Sequence, residues 1–79
     1  MDKEQIRLAR RLMGNDDIGS LLDLDSYDAN MLFRTATTDV DLGNGTRTHI
    51  NLIIALAEAH PRIQKVYGEQ IRLYTLQPV

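Results

Sequence analysis

The run Ile50-Asn-Leu-Ile-Ile-Ala-Leu-Ala-Glu-Ala-His60 constrains this chain more than any other stretch. Eight of its eleven residues are apolar. At 100° per residue, Ile50, Ile53, Ile54 and Ala57 share one face of a helix. Leu52, Ala55, Leu56 and Ala59 cover most of the rest, so only Asn51 and Glu58 fall on a narrow polar edge. A helix apolar on nearly all sides must be buried, and this one is too short to span a membrane. It is expected to be a central helix with other elements packed on more than one side.

A chain of 79 residues makes one domain. Of the surface it exposes when unfolded, such a chain buries roughly 60–65%, which leaves modest stability. It has no cysteine, so neither disulfides nor the usual zinc sites are available. No apolar run reaches membrane-spanning length, and Met-Asp-Lys-Glu-Gln at the start lacks the apolar core of a signal peptide. The expected location is cytoplasmic.

Charge is unevenly distributed. Between Leu12 and Thr46 there are seven acids, Asp16, Asp17, Asp23, Asp25, Asp28, Asp39 and Asp41, and one base, Arg34. That segment carries −6, while the two flanks together hold eight bases and four acids and carry +4, which sums to the chain's −2. This asymmetry is the clearest functional clue in the sequence. The acids Asp23, Asp25, Asp28, Asp39 and Asp41 are the candidates for contacting a partner.

Asp2 to Met13 reads as a helix, with Asp2 as cap and Gln5 at the capping-box distance. Ile6, Leu8, Ala9, Leu12 and Met13 form its apolar stripe, Lys3, Arg7, Arg10 and Arg11 share the opposite face, and Gly14-Asn15 is a stop. Asn15 to Ser26 fits either a short helix or a short strand. Tyr27 to Leu42 reads as a strand, because Thr35, Thr37, Thr38 and Val40 are β-branched and Tyr27 and Phe33 are aromatic; a helix over Tyr27–Thr35 is the alternative. Gly43-Asn44-Gly45 signals a tight hairpin turn, followed by a return strand through Thr46–Thr48. Thr48 would then cap the central helix. Pro61 ends that helix near Ala59 or lets it restart as a short turn through Arg62–Val66, stopped by Gly68. Glu69–Leu76 alternates well enough for a late strand, which Pro78 would end.

Few motifs carry chemistry. Counted from Asp23, a calcium loop of the EF-hand type needs glycine at its sixth position and glutamate at its twelfth, where this chain has Asp28 and Arg34. No metal is expected. His49 and His60 lie three turns apart on the central helix, about 16 Å, too far to share an ion. Each is expected to bond backbone at a helix boundary. Gly43-Asn44-Gly45 lacks the Lys-Ser/Thr of a phosphate loop, and Asp39 with Asp41 has no evident cleft. No catalytic motif and no cofactor site follow from these residues. Lys3, Arg7, Arg10 and Arg11 are the candidates for touching phosphates or an acidic partner; as a solvated helix face they need no function at all.

Two resemblances accompany these readings. The order helix, Leu21-Leu22-Asp23-Leu24-Asp25, possible helix, then Leu52–Ala59 ending in His60-Pro61 resembles small phage and bacterial helix-turn-helix regulators. That likeness implies an all-α fold and DNA binding. The chain departs from it in the short Gly14–Leu21 gap, in Asp23 where that family has a turn glycine, and in a recognition helix bearing Asp25 and Asp28 with Arg34 as its only base. The eight residues from Asp25 to Leu32 are similar to a segment of a small enterobacterial biofilm-regulator family.

The sequence therefore leads to an α+β fold: an N-terminal helix and a central buried helix on a small antiparallel sheet made from Ala29–Leu42, a short return strand and Glu69–Leu76. An all-α fold is the alternative. The expected function is non-enzymatic binding of another protein through the Asp-rich surface, in the manner of a phage-type inhibitor or accessory factor. A DNA-binding regulator using the first helix is the alternative. Glu69–Leu76, as an edge strand with few charges, is expected to pair with its copy in a homodimer.

Overall fold

The computed structural model describes residues 3–76 and consists of helices: α1 (Lys3–Met13), a 3₁₀ turn (Leu21–Asp23), α2 (Ser26–Asp41), α3 (Arg47–Ala59) and α4 (Pro61–Thr75). Among the described residues there is no strand, so the expected sheet is absent and the all-α alternative holds. The cap assigned to Asp2 and the stop assigned to Pro78 lie outside the described residues.

α3 is the central element. It packs against α1, α2, α4 and the 3₁₀ turn, and α1 also touches α2. Leu52, Ile53 and Leu56 are fully buried, with Ile50 and Ala57 nearly so. Coverage is incomplete on one side. Ile54 and Ala55 are half-buried beside Asn51, and they share a shallow groove with Gln5, exposed Leu22, Glu58 and Ala59.

The segment expected as a strand from Tyr27 to Leu42 is the longest helix. Its buried residues are Ala29, Leu32, Phe33, Ala36 and Thr37, the i, i+3, i+4, i+7, i+8 pattern of a helix with one face in the core. The β-branched residues behind the strand reading are accommodated locally. Thr35 Oγ1 donates to the Met31 carbonyl (2.9 Å) and Thr37 Oγ1 to the Arg34 carbonyl (3.0 Å), so both hydroxyls are satisfied within the helix. Val40 packs against the core cluster. Asp25 starts α2 as N-cap, its carboxylate accepting from the Asp28 N–H (2.8 Å).

Gly43-Asn44-Gly45 turns the chain without a hairpin. Gly43 has φ +84°, and the Asn44 and Gly43 N–H groups donate back to the carbonyls of Asp39 (2.8 Å) and Val40 (3.0 Å). This is the Schellman closure of a helix. Positive φ at glycine is common to both kinds of turn, so the glycine signal marks a reversal without naming the elements it joins. Gly45 is needed for space: a Cβ there would lie 2.5 Å from Val40 Cγ2 and 2.7 Å from its Cα. The expected return strand Thr46–Thr48 is the N-cap and first turn of α3, and the cap is Thr46 rather than Thr48.

Pro61 ends α3 at Ala59 as expected and occupies the first position of α4, where its missing N–H costs nothing. α4 continues through Gly68, which does not stop it; a non-helical Tyr67 (φ −115°, ψ 18°) marks a kink. The segment expected as the late strand Glu69–Leu76 is the second half of this helix. Ile63, Ile71 and Tyr74 face inward on a helical spacing that overrides the short Ile71/Leu73 alternation. With no strand there, the edge-to-edge route to a homodimer is removed. The Phe33 and Tyr67 rings stack with centroids 4.8 Å apart, joining α2 to α4 beside the kink.

Candidate functional site

The five candidate acids fall at two ends of α2. Asp23, Asp25 and Asp28 lie at its start and Asp39 and Asp41 in its last turn. Asp39 lies fourteen positions after Asp25, about 20 Å along the helix, so the five do not form one patch.

The two acids at the end of α2 have internal bonds. Asp39 is half-buried and its Oδ2 lies 3.1 Å from Nε2 of the buried His49. On the other side of that ring, Nδ1 accepts from the Thr46 backbone N–H (3.1 Å), while the Thr46 hydroxyl accepts from the His49 backbone N–H (3.4 Å). Nδ1 is thus the unprotonated nitrogen and Nε2–H donates to Asp39. His49 fills the place that Glu or Gln takes in a capping box, and it also clasps the end of α2 to the start of α3. Thr46, His49 and Asp39 form a hydroxyl–imidazole–carboxylate chain, yet its polar atoms serve the helix cap. The depression nearest to it, formed by Met31, Arg34, Thr35, Thr38 and Asp39, includes neither Thr46 nor His49.

Asp41 accepts from the Tyr74 hydroxyl (2.8 Å), which also accepts from Gln70 Nε2 (3.1 Å). Burial of the phenol raises the Tyr74 pKa above its ordinary 10.0, and the neighbouring Asp41 carboxylate adds to the rise, against a lowering by the Gln70 bond. This bond ties the C-terminal part of α4 to the end of α2. His60 is also tied internally, its Nε2 bonding the Leu21 carbonyl (2.6 Å), which fixes the 3₁₀ turn to the α3–α4 corner. Both histidines therefore sit at helix boundaries, but only His60 reaches a distant backbone group.

At the start of α2 a carboxylate bonds locally instead, Asp25 capping its own helix. Asp23, Asp25 and Tyr27 are exposed, Asp28 is half-buried, and Leu22 and Tyr27 show 67% and 72% of their surface. The seven residues from Leu22 to Asp28 thus place two exposed carboxylates, Asp23 and Asp25, and the half-buried Asp28 around two large side chains. Tyr27 also forms one wall of a cleft between α2 and α4, with Asn30, His60, Ile63, Val66 and Tyr67.

Of the candidate bases, Lys3, Arg7 and Arg11 are exposed on α1. Arg10 is half-buried, and its Nε donates to the Ile18 carbonyl (2.9 Å), holding the loop after α1. Lys3, Arg7 and Arg10 border a shallow depression with Gly19 and Ser20. Among the described residues, no group of three or more His, Cys, Asp or Glu is placed to hold a metal ion, and no helix is long and apolar enough to cross a membrane.

One surface escaped the sequence reading. α4 exposes Arg62, Lys65, Val66, Glu69, Arg72 and Leu73, and Leu76, its C-cap, is exposed as well. Their spacing was legible as helical, but dividing the stretch into a turn and a strand hid it. Comparison with family models, with curated proteins and with solved structures finds no match.

Proposed function

We propose that this chain is a non-enzymatic protein-interaction module that engages a basic surface of another protein through the head of α2. The observation that carries this reading is the exposure of Leu22 and Tyr27 among Asp23, Asp25 and Asp28. Interfaces are anchored by large side chains, Tyr prominent among them, inside a polar rim, and a carboxylate rim selects a cationic partner. A small inhibitor or accessory factor acts in this way. By contrast, Asp39 and Asp41 support the fold first, since each already bonds a side chain of another helix.

The test is capture of partners from host lysate by the wild type beside the Asp23→Lys/Tyr27→Ala variant, neither residue being a cap or a core residue. Proteins retained by the wild type and lost by the variant support the reading; the same set retained by both contradicts it. The exposed Lys3, Arg7 and Arg11 favour a second reading, a DNA-binding regulator. Fluorescence anisotropy on labelled duplex decides between them. The acidic head of α2 should keep random-duplex binding weaker than about 10 μM at roughly 150 mM salt. Tight binding that Arg7→Ala/Arg11→Ala abolishes would promote the regulator.

A further inference from the structure

α4 has two apolar stripes, and only one has a partner. Ile63, Ile71 and Tyr74 are buried, and Tyr67 packs partly against the core. Val66, Leu73 and Leu76 lie on another side and expose 63%, 65% and 78% of their surface. A lone exposed aliphatic is ordinary. These three are not randomly spaced. Val66 and Leu73 are seven residues apart, and Arg62, Val66, Glu69, Leu73 and Leu76 follow one another at intervals of 4, 3, 4 and 3. That is the seam along which one helix accepts another. The kink at Tyr67 divides it into Arg62–Val66 and Glu69–Leu76, so a partner helix must cross that kink to meet both parts.

The charges beside the seam identify the partner. Lys65 and Arg72, also seven apart and both exposed, run along one flank, and Arg62 opens the seam; Glu69 is the one acid among them. Two copies of α4 would suit one another poorly. Antiparallel, they would set the Lys65/Arg72 flank against the same flank of the second copy. Parallel and in register, they would set Glu69 on Glu69. An anionic membrane also fits poorly, because Glu69 would have to enter the acyl boundary, whereas at a helix–helix seam its carboxylate can reach the solvated edge. We infer that the outer face of α4, centred on Val66 and Leu73 and flanked by Lys65 and Arg72, docks an acidic amphipathic helix of another protein. At its Arg62–Val66 end this surface adjoins the head of α2, because Arg62 and Val66 also line the cleft that Tyr27 walls, whereas Lys65, Leu73 and Leu76 lie outside that cleft.

The test uses two labelled three-heptad synthetic helices with identical Leu seams, one flanked by Glu and one by Lys, read by fluorescence anisotropy on the full chain at low and physiological salt. The Glu-flanked peptide is expected to bind about tenfold or more tightly than the Lys-flanked one and to weaken with salt. Leu73→Asp should weaken it by about tenfold or more while leaving the circular dichroism spectrum and unfolding midpoint unchanged. Lys65→Glu/Arg72→Glu should reverse the peptide preference, a result that a merely unfolded variant would not give. Asp23→Lys, aimed at the head of α2, should leave peptide binding unaltered. Equal binding of the two peptides would overturn the proposal, as would full binding by Leu73→Asp. So would anionic phosphatidylglycerol vesicles bound in preference to the Glu peptide, or a wild-type dimer in sedimentation that Leu73→Asp dissociates.

Discussion

α3 has eight aliphatic residues in 13 and α4 only four in 15, and they use them differently. α3 has neighbours on most of its circumference and spends its side chains on the core. α4 packs chiefly on α3, so its inner stripe joins the core and its outer one meets solvent. An apolar count separates the two helices but does not say which of α4's apolar residues face the core. Position in the bundle does: the helix in the middle meets neighbours on most of its sides, and a helix on the rim carrying a second stripe has an apolar face left over for something else.

The comparison can be broken by mutation. Leu56→Ala, in the fully buried face of α3, should cost about 4 kcal/mol, within the range for a Leu truncation in a site with little room to collapse. Ile71→Ala, on the inner face of α4, should cost about 2 kcal/mol, since its surroundings are packed from fewer sides. Urea denaturation of both variants measures the difference, and equal losses would erase the distinction between centre and rim.

Tyr74→Phe should cost about 1 kcal/mol, the ordinary net worth of the hydrogen bond to Asp41. That loss has a pH signature. The pKa of Tyr74 is raised in the folded chain, so the fold favours the neutral phenol. Its contribution is fully present below the ordinary pKa of 10.0 and disappears as pH rises through the raised folded value. The stability gap between wild type and Tyr74→Phe should therefore close in alkali. The ultraviolet difference titration of the two proteins should place the missing phenol above 10.0. Smallest of all, Leu73→Ala on the outer face should change stability by less than about 0.5 kcal/mol, as for a surface position, despite removing as many atoms as Leu56→Ala. A loss near that of Leu56 would mean the outer face of α4 is structural.

What could be read from the sequence follows the same division. The central helix was legible because its apolar residues leave only Asn51 and Glu58 polar, and no strand of ordinary length explains such a run. α1 was legible from its amphipathic stripe and from Gly14, which indeed takes a positive φ of 65°. α2 was not, because its local chemistry opposes its periodicity. Thr35, Thr37, Thr38 and Val40 speak for a strand, whereas Ala29, Leu32, Phe33 and Ala36 repeat as a helix, and burial against α3 decides. The candidate acids were legible as a charge imbalance along the chain. Composition could not show that Asp39 would meet His49 and Asp41 would meet Tyr74, because both pairings depend on where later helices return. Imidazole and phenol partners make these two carboxylates part of the scaffold, and only tertiary contact reveals it.

Native-state hydrogen exchange tests the claim of a buried centre and a rim most directly, because it reports the opening free energy of each amide. The slowest amides should be those of Leu52 to Ala57 in α3, exchanging only by global unfolding and sharing its free energy. The amides from Glu69 to Thr75, in the second half of α4, should exchange faster through local opening beyond the kink at Tyr67. Protection in that half of α4 equal to or greater than that of α3 would contradict the account.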